Sequence, residues 1–277
     1  MRLLCIGDNV VDRYVGQGVM YPGGNAVNVA VFAKRLGADS AYQGIVGSDE
    51  AGRLVLGSLL DEGVDTSRVS VADGPNAWAD VDLVEGDRRF LGSDKGVSLF
   101  ALVAQHYADA RGFDVVHTAY TARLDDQLGE LCAHALRVSY DFGRNFTAEQ
   151  VSRLASGLWL ASFSGSHLSE AAVSDLLRAA CGAGATYALV TRGPQGAALA
   201  THDQRWDQAA GHVPVIDTLG AGDAFIAALL VRLSRADDPA SALADASEVA
   251  QGVITRSGAF GHGAPFSRRA AVLEGEI

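Results

Sequence analysis

The segment Val215-Ile216-Asp217-Thr218-Leu219-Gly220-Ala221-Gly222-Asp223-Ala224-Phe225 has the residue types and spacing best suited to chemistry. Gly-Ala-Gly opens an apolar helical run. The backbone N–H groups of Gly220, Ala221 and Gly222 therefore point out of a helix N-terminus, where small side chains let an anion approach closely. Asp223 stands at the rim of this hole, where the positive end of the helix dipole favours the ionised carboxylate. A carboxylate beside an anion hole suits phosphoryl transfer: the Asp accepts the proton of an acceptor hydroxyl while the N–H groups stabilise charge on the moving phosphoryl oxygens. The same residues also read as an ordinary glycine-rich helix start with a first-turn acid, since G-x-G-D is a common local pattern.

Composition narrows what such a site could serve. The 277 residues carry 22 Lys+Arg against 33 Asp+Glu, a net charge of −11, so the long-range field repels nucleic acid and anionic membranes. A polyanionic ligand such as a nucleotide would need local donors, and the 32 glycines against 6 prolines suggest backbone N–H groups as their source. Only two lysines occur, Lys34 and Lys95, and neither stands in Gly-Lys-[Ser/Thr], which removes a P-loop. The chain has no G-x-G-x-x-G, G-x-S-x-G or H-E-x-x-H. Cys5, Cys132 and Cys181 are scattered, without C-x-x-C or a His at metal-ligand spacing, against a disulfide scaffold or zinc site. The opening MRLLCIGDNVVDRY fits neither a signal nor a transit peptide, and no apolar run approaches the roughly 20 residues that span a bilayer. These readings lead to the expectation of a cytoplasmic protein.

The elements that must hold the site follow from periodicity. A buried strand at Arg2–Ile6, a helix at Gly24–Leu36 stopped by Gly37, a strand at Ala41–Val46, a helix from Glu50 to Glu62 and a strand near Arg68–Val71 give a β–α–β alternation. It implies a largely parallel sheet with helices on both faces. Two stretches break the rhythm: residues 12–22 are strand-like and too short for a helix, and residues 76–92 alternate around an EGD turn as a hairpin. They are expected to stand off the main body as a small β lid on a single domain covering residues 1–277. Alternation resumes with strands at DVVHTA, RVSYDFG, LWLASF and ATYALVTRG, separated by helices at Asp125–Leu136, Thr147–Ser156 and Ser169–Ala180. AALATHD and RWDQAA read as an antiparallel edge hairpin, and Gly220–Leu233 and Pro239–Thr255 as Ala/Leu-rich helices.

DTLGAGDAF resembles the D-T-x-G-A-G-D signature of the PfkB/ribokinase family of carbohydrate kinases, and PGGNAVNVAVFAKRLGA, far upstream, resembles the family's Gly-Gly turn and first long helix. The resemblance runs from about Leu3 to Phe266 and implies a ribokinase-like α/β/α fold with a β lid. It also implies an ATP-dependent kinase, using Mg²⁺ and in part potassium, that phosphorylates a primary hydroxyl of a sugar. IGDNVVDRY, GDRRFLGSDKGV and the tail around Ile254–Phe260 are most similar to the branch acting on fructosamines such as fructoselysine, with a 6-phosphate product. A ketose, a keto-deoxy sugar acid or a nucleoside are alternative substrates, and a non-catalytic sugar-binding protein of the same fold is an alternative function.

The resemblance also assigns residues. Asp223 is the base, and the N–H groups of Gly220, Ala221 and Gly222 form the anion hole. Asp12, Gly23, Gly24, Asn25 and Asn28 bind sugar, Asn25 standing where many relatives have Lys. Carboxylate and carboxamide pairs suit vicinal hydroxyls; the same Asp and Asn also read as turn and cap residues. Thr191, Arg192, Gly193 and Gly196 match a T-x-G-x-x-G nucleotide loop, which also reads as a plain turn. Asp217, the Leu219 carbonyl and Gly258 resemble a monovalent-cation loop. The family's N-x-x-E segment, which orders Mg²⁺ through water, is replaced by SFSGSHLSE. Glu170 reads there either as its substitute or as an N3-type acid of a helix capping box beside His167. Arg88, with Arg89 and Asp94, would give the lid its selectivity for an amino-acid-linked sugar, or belong to a solvated hairpin. The resemblance further implies a homodimer joined through the lid.

Overall fold

The computed structural model describes residues 1–84 and 87–267, the side chains of 83–90 apart. The first part of the chain forms β1 (Arg2–Ile6), β2 (Val10–Tyr14), β3 (Val19–Gly23), α1 (Asn25–Arg35), β4 (Asp39–Gly47), α2 (Glu50–Asp61) and β5 (Asp65–Ala72). A hairpin follows, β6 (Trp78–Val84) and β7 (Asp87–Asp94), then α3 (Ala104–Ala110), β8 (Val115–Ala119) and α4 (Leu128–His134). The remainder is β9 (Val138–Asp141), α5 (Ala148–Leu154), β10 (Leu160–Ser164), α6 (Glu170–Gly182), β11 (Tyr187–Thr191), β12 (Ala197–Ala200), β13 (Arg205–Gln208), α7 (Ala221–Ser234), α8 (Pro239–Val253) and β14 (Ala264–Pro265).

Nine strands make the main sheet in the order β13-β12-β11-β10-β9-β8-β1-β4-β5. Every pairing is parallel except β11–β12 and β12–β13, so the edge hairpin is where the sequence places it. Side chains alternate across β1: Leu3 and Cys5 enter a core with α1, α2, α7 and α8, while Leu4 and Ile6 enter a second core with α3 to α6. Burial on both faces is why the parallel strands read as continuous apolar runs. Each fully buried leucine, such as Leu229 and Leu230 of α7, contributes about 1.5–3 kcal/mol relative to an exposed one.

The second sheet has the order β14-β3-β2-β6-β7 and confirms the lid, with a strand more than the two excursions supply. After Gly258–Gly263 the chain returns to pair Ala264 with Met20, antiparallel to β3. Arg13 fastens the lid internally: it lies 2.5 Å from Asp80 and 3.6 Å over the Trp78 ring. Two elements differ from expectation. Helix α4 ends at His134, after a 3₁₀ turn at Asp125–Gln127, and α3 fills a stretch with too few residues for a clear helical period.

Candidate active site

The site lies at the carboxyl ends of β1, β8 and β9, where the strand order switches direction on either side of β1, the position at which open α/β sheets bind ligands. Helix α1 brings two carboxamides here. Its N-cap, Gly24, has φ +104, and a Cβ there would lie 2.8 Å from the Asn9 Cα, so glycine lets the helix start against the end of β1. Asn25 and Asn28, three residues apart, then share one helical face. Helix α7 brings the carboxylate. Gly220 caps it at φ +75, where a Cβ would meet the Ala259 Cβ at 2.4 Å, and Asp223 stands in the first turn.

These side chains meet. Asn25 Nδ2 donates to Asp223 Oδ1 at 2.8 Å and to Asp141 Oδ2 at 2.9 Å, and Asn28 Nδ2 donates to Asp223 Oδ2 at 2.6 Å. Asn28 Oδ1 is buried with no hydrogen-bond partner among the described residues. Asp12 closes on the same place: a Cβ on Gly23 would lie 3.0 Å from Asp12 Oδ2 and 3.6 Å from Asn28 Oδ1. Asp12, Gly23, Gly24, Asn25, Asn28 and Asp223 are therefore one cluster.

The sheet floor adds residues that sequence reasoning missed. In register, His117 of β8 stands beside Ser139 of β9, and Asp141 follows two residues on, on the same face as Ser139. His117 Nε2 is 2.8 Å from Asn25 Oδ1, and Nδ1 is 3.0 Å from Ser139 Oγ. Burial lowers the His117 pKa to about 3, so the ring is neutral. Asp141 is pushed up to about 7, first by burial and then by the Asp223 charge, against hydrogen bonds from Gly143 N–H, Ser162 and Asn25. Asp8, also buried, accepts from Lys95 Nζ at 2.6 Å, which ties the end of the lid hairpin to the end of β1. The signal available in sequence was polar residues on strands otherwise apolar; which of them meet depends on the register between strands.

Beside Asp223 opens a cleft of about 450 Å³, lined by Thr191, Gly193, Gly196, Ala221, Gly222, Phe225 and apolar residues of the 210–215 segment and α8. Helix geometry leaves the N–H groups of the first turn without intrahelical acceptors. The first i to i−4 bond is Ala224 N–H to Gly220 O at 2.8 Å, and Ala221 N–H makes a 3.3 Å turn bond to Thr218 O. Arg192 lies outside the cleft lining and is 2.5 Å from Glu170. Glu170 is the first residue of α6 and Ser169 is the N-cap, so the N3 capping-box reading is corrected. Both Glu170 oxygens accept from guanidinium groups, of Arg192 and Arg205. Asp217 Oδ1 accepts from Leu219 N–H at 3.0 Å, and Oδ2 from Gly258 N–H at 2.9 Å and Tyr14 Oη–H at 2.6 Å. Arg88 is on β7, but its side chain, like that of Arg89, lies outside the described residues.

The profile of the pfkB family carbohydrate kinase matches residues 4–262. The chain belongs to this family. It is 43% identical over 271 residues to the fructosamine kinase FrlD of Bacillus subtilis (strain 168), covering 96% of this chain and 95% of that one. It is 34% identical over 259 residues to the fructoselysine 6-kinase of Escherichia coli (strain K12), covering 93% and 99%. A crystal structure of a fructokinase double mutant from Vibrio cholerae O395, in fructose, ADP and potassium ion bound form, superposes with a TM-score of 0.74 at 26% identity, covering 94% of each chain. The chain is thus a carbohydrate kinase, and the expected fold is the family's. Among the described residues no helix is long and apolar enough to cross a membrane.

Proposed function

We propose that this pfkB family member transfers the γ-phosphoryl group of ATP to the primary hydroxyl of a fructosamine such as fructoselysine, giving the 6-phosphate. The observation that carries the chemistry is Asp223, held by two carboxamides at the start of α7 and bordering the cleft that Gly222 lines. Asp223 takes the hydroxyl proton, the new O–P bond forms as the bond to the β,γ-bridging oxygen breaks, and ADP leaves. The first-turn N–H groups of α7 receive the charge on the phosphoryl oxygens. Asp12 and the unpartnered Asn28 Oδ1 take sugar hydroxyls, and Thr191, Gly193 and Gly196 flank the nucleotide.

The substrate class rests on the 43% and 34% identical relatives. Mg²⁺ belongs here to the nucleotide, with which it usually keeps several waters. Both Glu170 oxygens accept from arginines and Glu170 is not among the residues lining the cleft, so no contact to Mg²⁺ is assigned to it. Asp217 accepts from the N–H groups of Leu219 and Gly258, which orders the loop in which the Leu219 carbonyl would hold a monovalent cation. No step is routed through either ion. ADP release with Mg-ATP, measured over fructosamines, ketoses, keto-deoxy sugar acids and nucleosides, tests the proposal. The expected result is the highest kcat/KM with a fructosamine. ADP at background with every acceptor would favour a sugar-binding protein instead.

A further inference from the structure

We propose that His117 is a positioning residue for the phosphoryl transfer, acting through Asn25 to hold the Asp223 carboxylate in the direction from which it takes the substrate proton. This inference rests on Asp223 being the base. It reassigns Asn25 from sugar contact to support of the base.

The Asn25 carboxamide has two N–H donors, and both are used: one on Asp223 Oδ1 at 2.8 Å, the other on Asp141 Oδ2 at 2.9 Å. A single amide nitrogen thus stands between two carboxyl groups that would otherwise face each other in a half-buried site. No N–H of Asn25 is left to offer a sugar hydroxyl. The arrangement works only in one orientation. Turned over, the amide would present its oxygen to the Asp223 carboxylate, an acceptor against an acceptor. What holds the amide is His117, whose Nε2 lies 2.8 Å from Asn25 Oδ1. The ring can donate there only as the Nε2–H tautomer.

Asn25 Oδ1, which can only accept, selects that tautomer, and Ser139 accommodates it. Its hydroxyl is 3.0 Å from His117 Nδ1, and it donates to that nitrogen once Nε2 carries the hydrogen. His117 and Ser139 are both completely buried, so no water competes for either ring nitrogen. The direction of every hydrogen bond in the chain is then set: Ser139 Oγ–H to Nδ1, Nε2–H to Asn25 Oδ1, and Asn25 NH₂ to Asp141 and Asp223. Asn28 holds the second Asp223 oxygen at 2.6 Å, so the carboxylate is gripped from two residues of one helix. A His on a buried strand is more simply a satisfied core residue, and the difference between the two roles is kinetic: a core residue supports folding, whereas this one sets where the base points at the moment of transfer.

The test combines a measurement on the unaltered protein with two variants. Long-range ¹H–¹⁵N correlation spectra should show the His117 ring as the neutral Nε2–H tautomer; the Nδ1–H form would overturn the proposal. His117→Phe, which has no donor, should lower kcat by roughly ten- to a hundredfold, the scale of a misplaced reacting group, while KM for sugar and for ATP stays within a few-fold. His117→Gln, whose carboxamide can still donate, should recover much of that kcat. A His117→Phe variant that folds and keeps the kcat of the unaltered protein would refute the idea; if it does not fold, the tautomer decides. Asp223→Asn separates the two layers: turnover retained there defeats the base assignment itself, whereas turnover lost there with His117→Phe unaffected defeats the positioning role alone.

Discussion

Asp223 owes its setting to two carboxamides on its two oxygens, at 2.8 and 2.6 Å in a half-buried site, and to the first turn of α7 behind it. Asp223→Asn keeps the volume, removes the proton acceptor and turns an amide toward two amides. Its kcat should fall by roughly 10² or more, the contribution of a general base, with a smaller effect on sugar KM; steady-state kinetics that show near-normal kcat would contradict the mechanism. This residue was legible from sequence because its meaning is local, an acid three positions after the glycine that caps a helix. His117 and Asp141 were not. VVHTA and VSYD each read as buried strands, and what makes their polar residues a unit is that β8 and β9 lie side by side in one register, with α1 laid over them. Glu170 is the reverse case: an acid in the stretch where the sequence points, which the structure pairs with Arg192 and Arg205.

At the scale of elements, α7 has two jobs with different tolerances. Its body is core, with Ala224 to Val231 buried, while its first turn faces the cleft. Gly222 marks the boundary, since a Cβ there would meet nothing within 4 Å. Gly222→Val should therefore leave the folding free energy within about 1 kcal/mol, the span of helix propensities, yet fill the space an anion needs beside the N–H groups. Loss of one charge-assisted hydrogen bond is worth about 1.5–3 kcal/mol, so KM for ATP should rise roughly ten- to a hundredfold. Paired urea titration and ATP kinetics check this; an unfolded variant, or one with unchanged ATP KM, would show that the first turn is packing alone. The α/β alternation was readable because long elements carry long periods. The seven-residue α3 and the two-residue β14 were not, the first too short to show a helical stripe and the second defined only by its partner β3.

For the whole molecule, the buried site bears on acid stability in a way neither ionisable partner would alone. His117 has its pKa lowered from 6.5 to about 3, so only the unfolded chain binds its proton between those values, and its stabilising effect, complete above pH 6.5, is lost as the pH falls toward 3. Asp141 has its pKa raised from 3.8 to about 7, so the native state is the one that binds the proton there, and its stabilising effect, complete below 3.8, is lost as the pH rises toward 7. The two windows overlap from about pH 4 to 6.5 with opposite sign, and the pair together leaves the net proton difference between folded and unfolded chains nearly unchanged. Removing one exposes the other. Relative to the unaltered protein, Asp141→Asn should lose about 1.4 kcal/mol for each pH unit of acidification across this range. His117→Phe should gain by about the same slope as the pH falls, because Asp141 then titrates uncompensated. Comparing the differences with the unaltered protein cancels carboxylates away from the site, such as Glu62 and Asp65, whose pKa values are lowered by their own hydrogen bonds and which titrate alike in all three chains. Urea midpoints measured at half-unit steps from pH 4.5 to 6.5 would show two lines of opposite slope; three parallel profiles would mean that His117 and Asp141 do not hold their unlike protonation states in the folded protein.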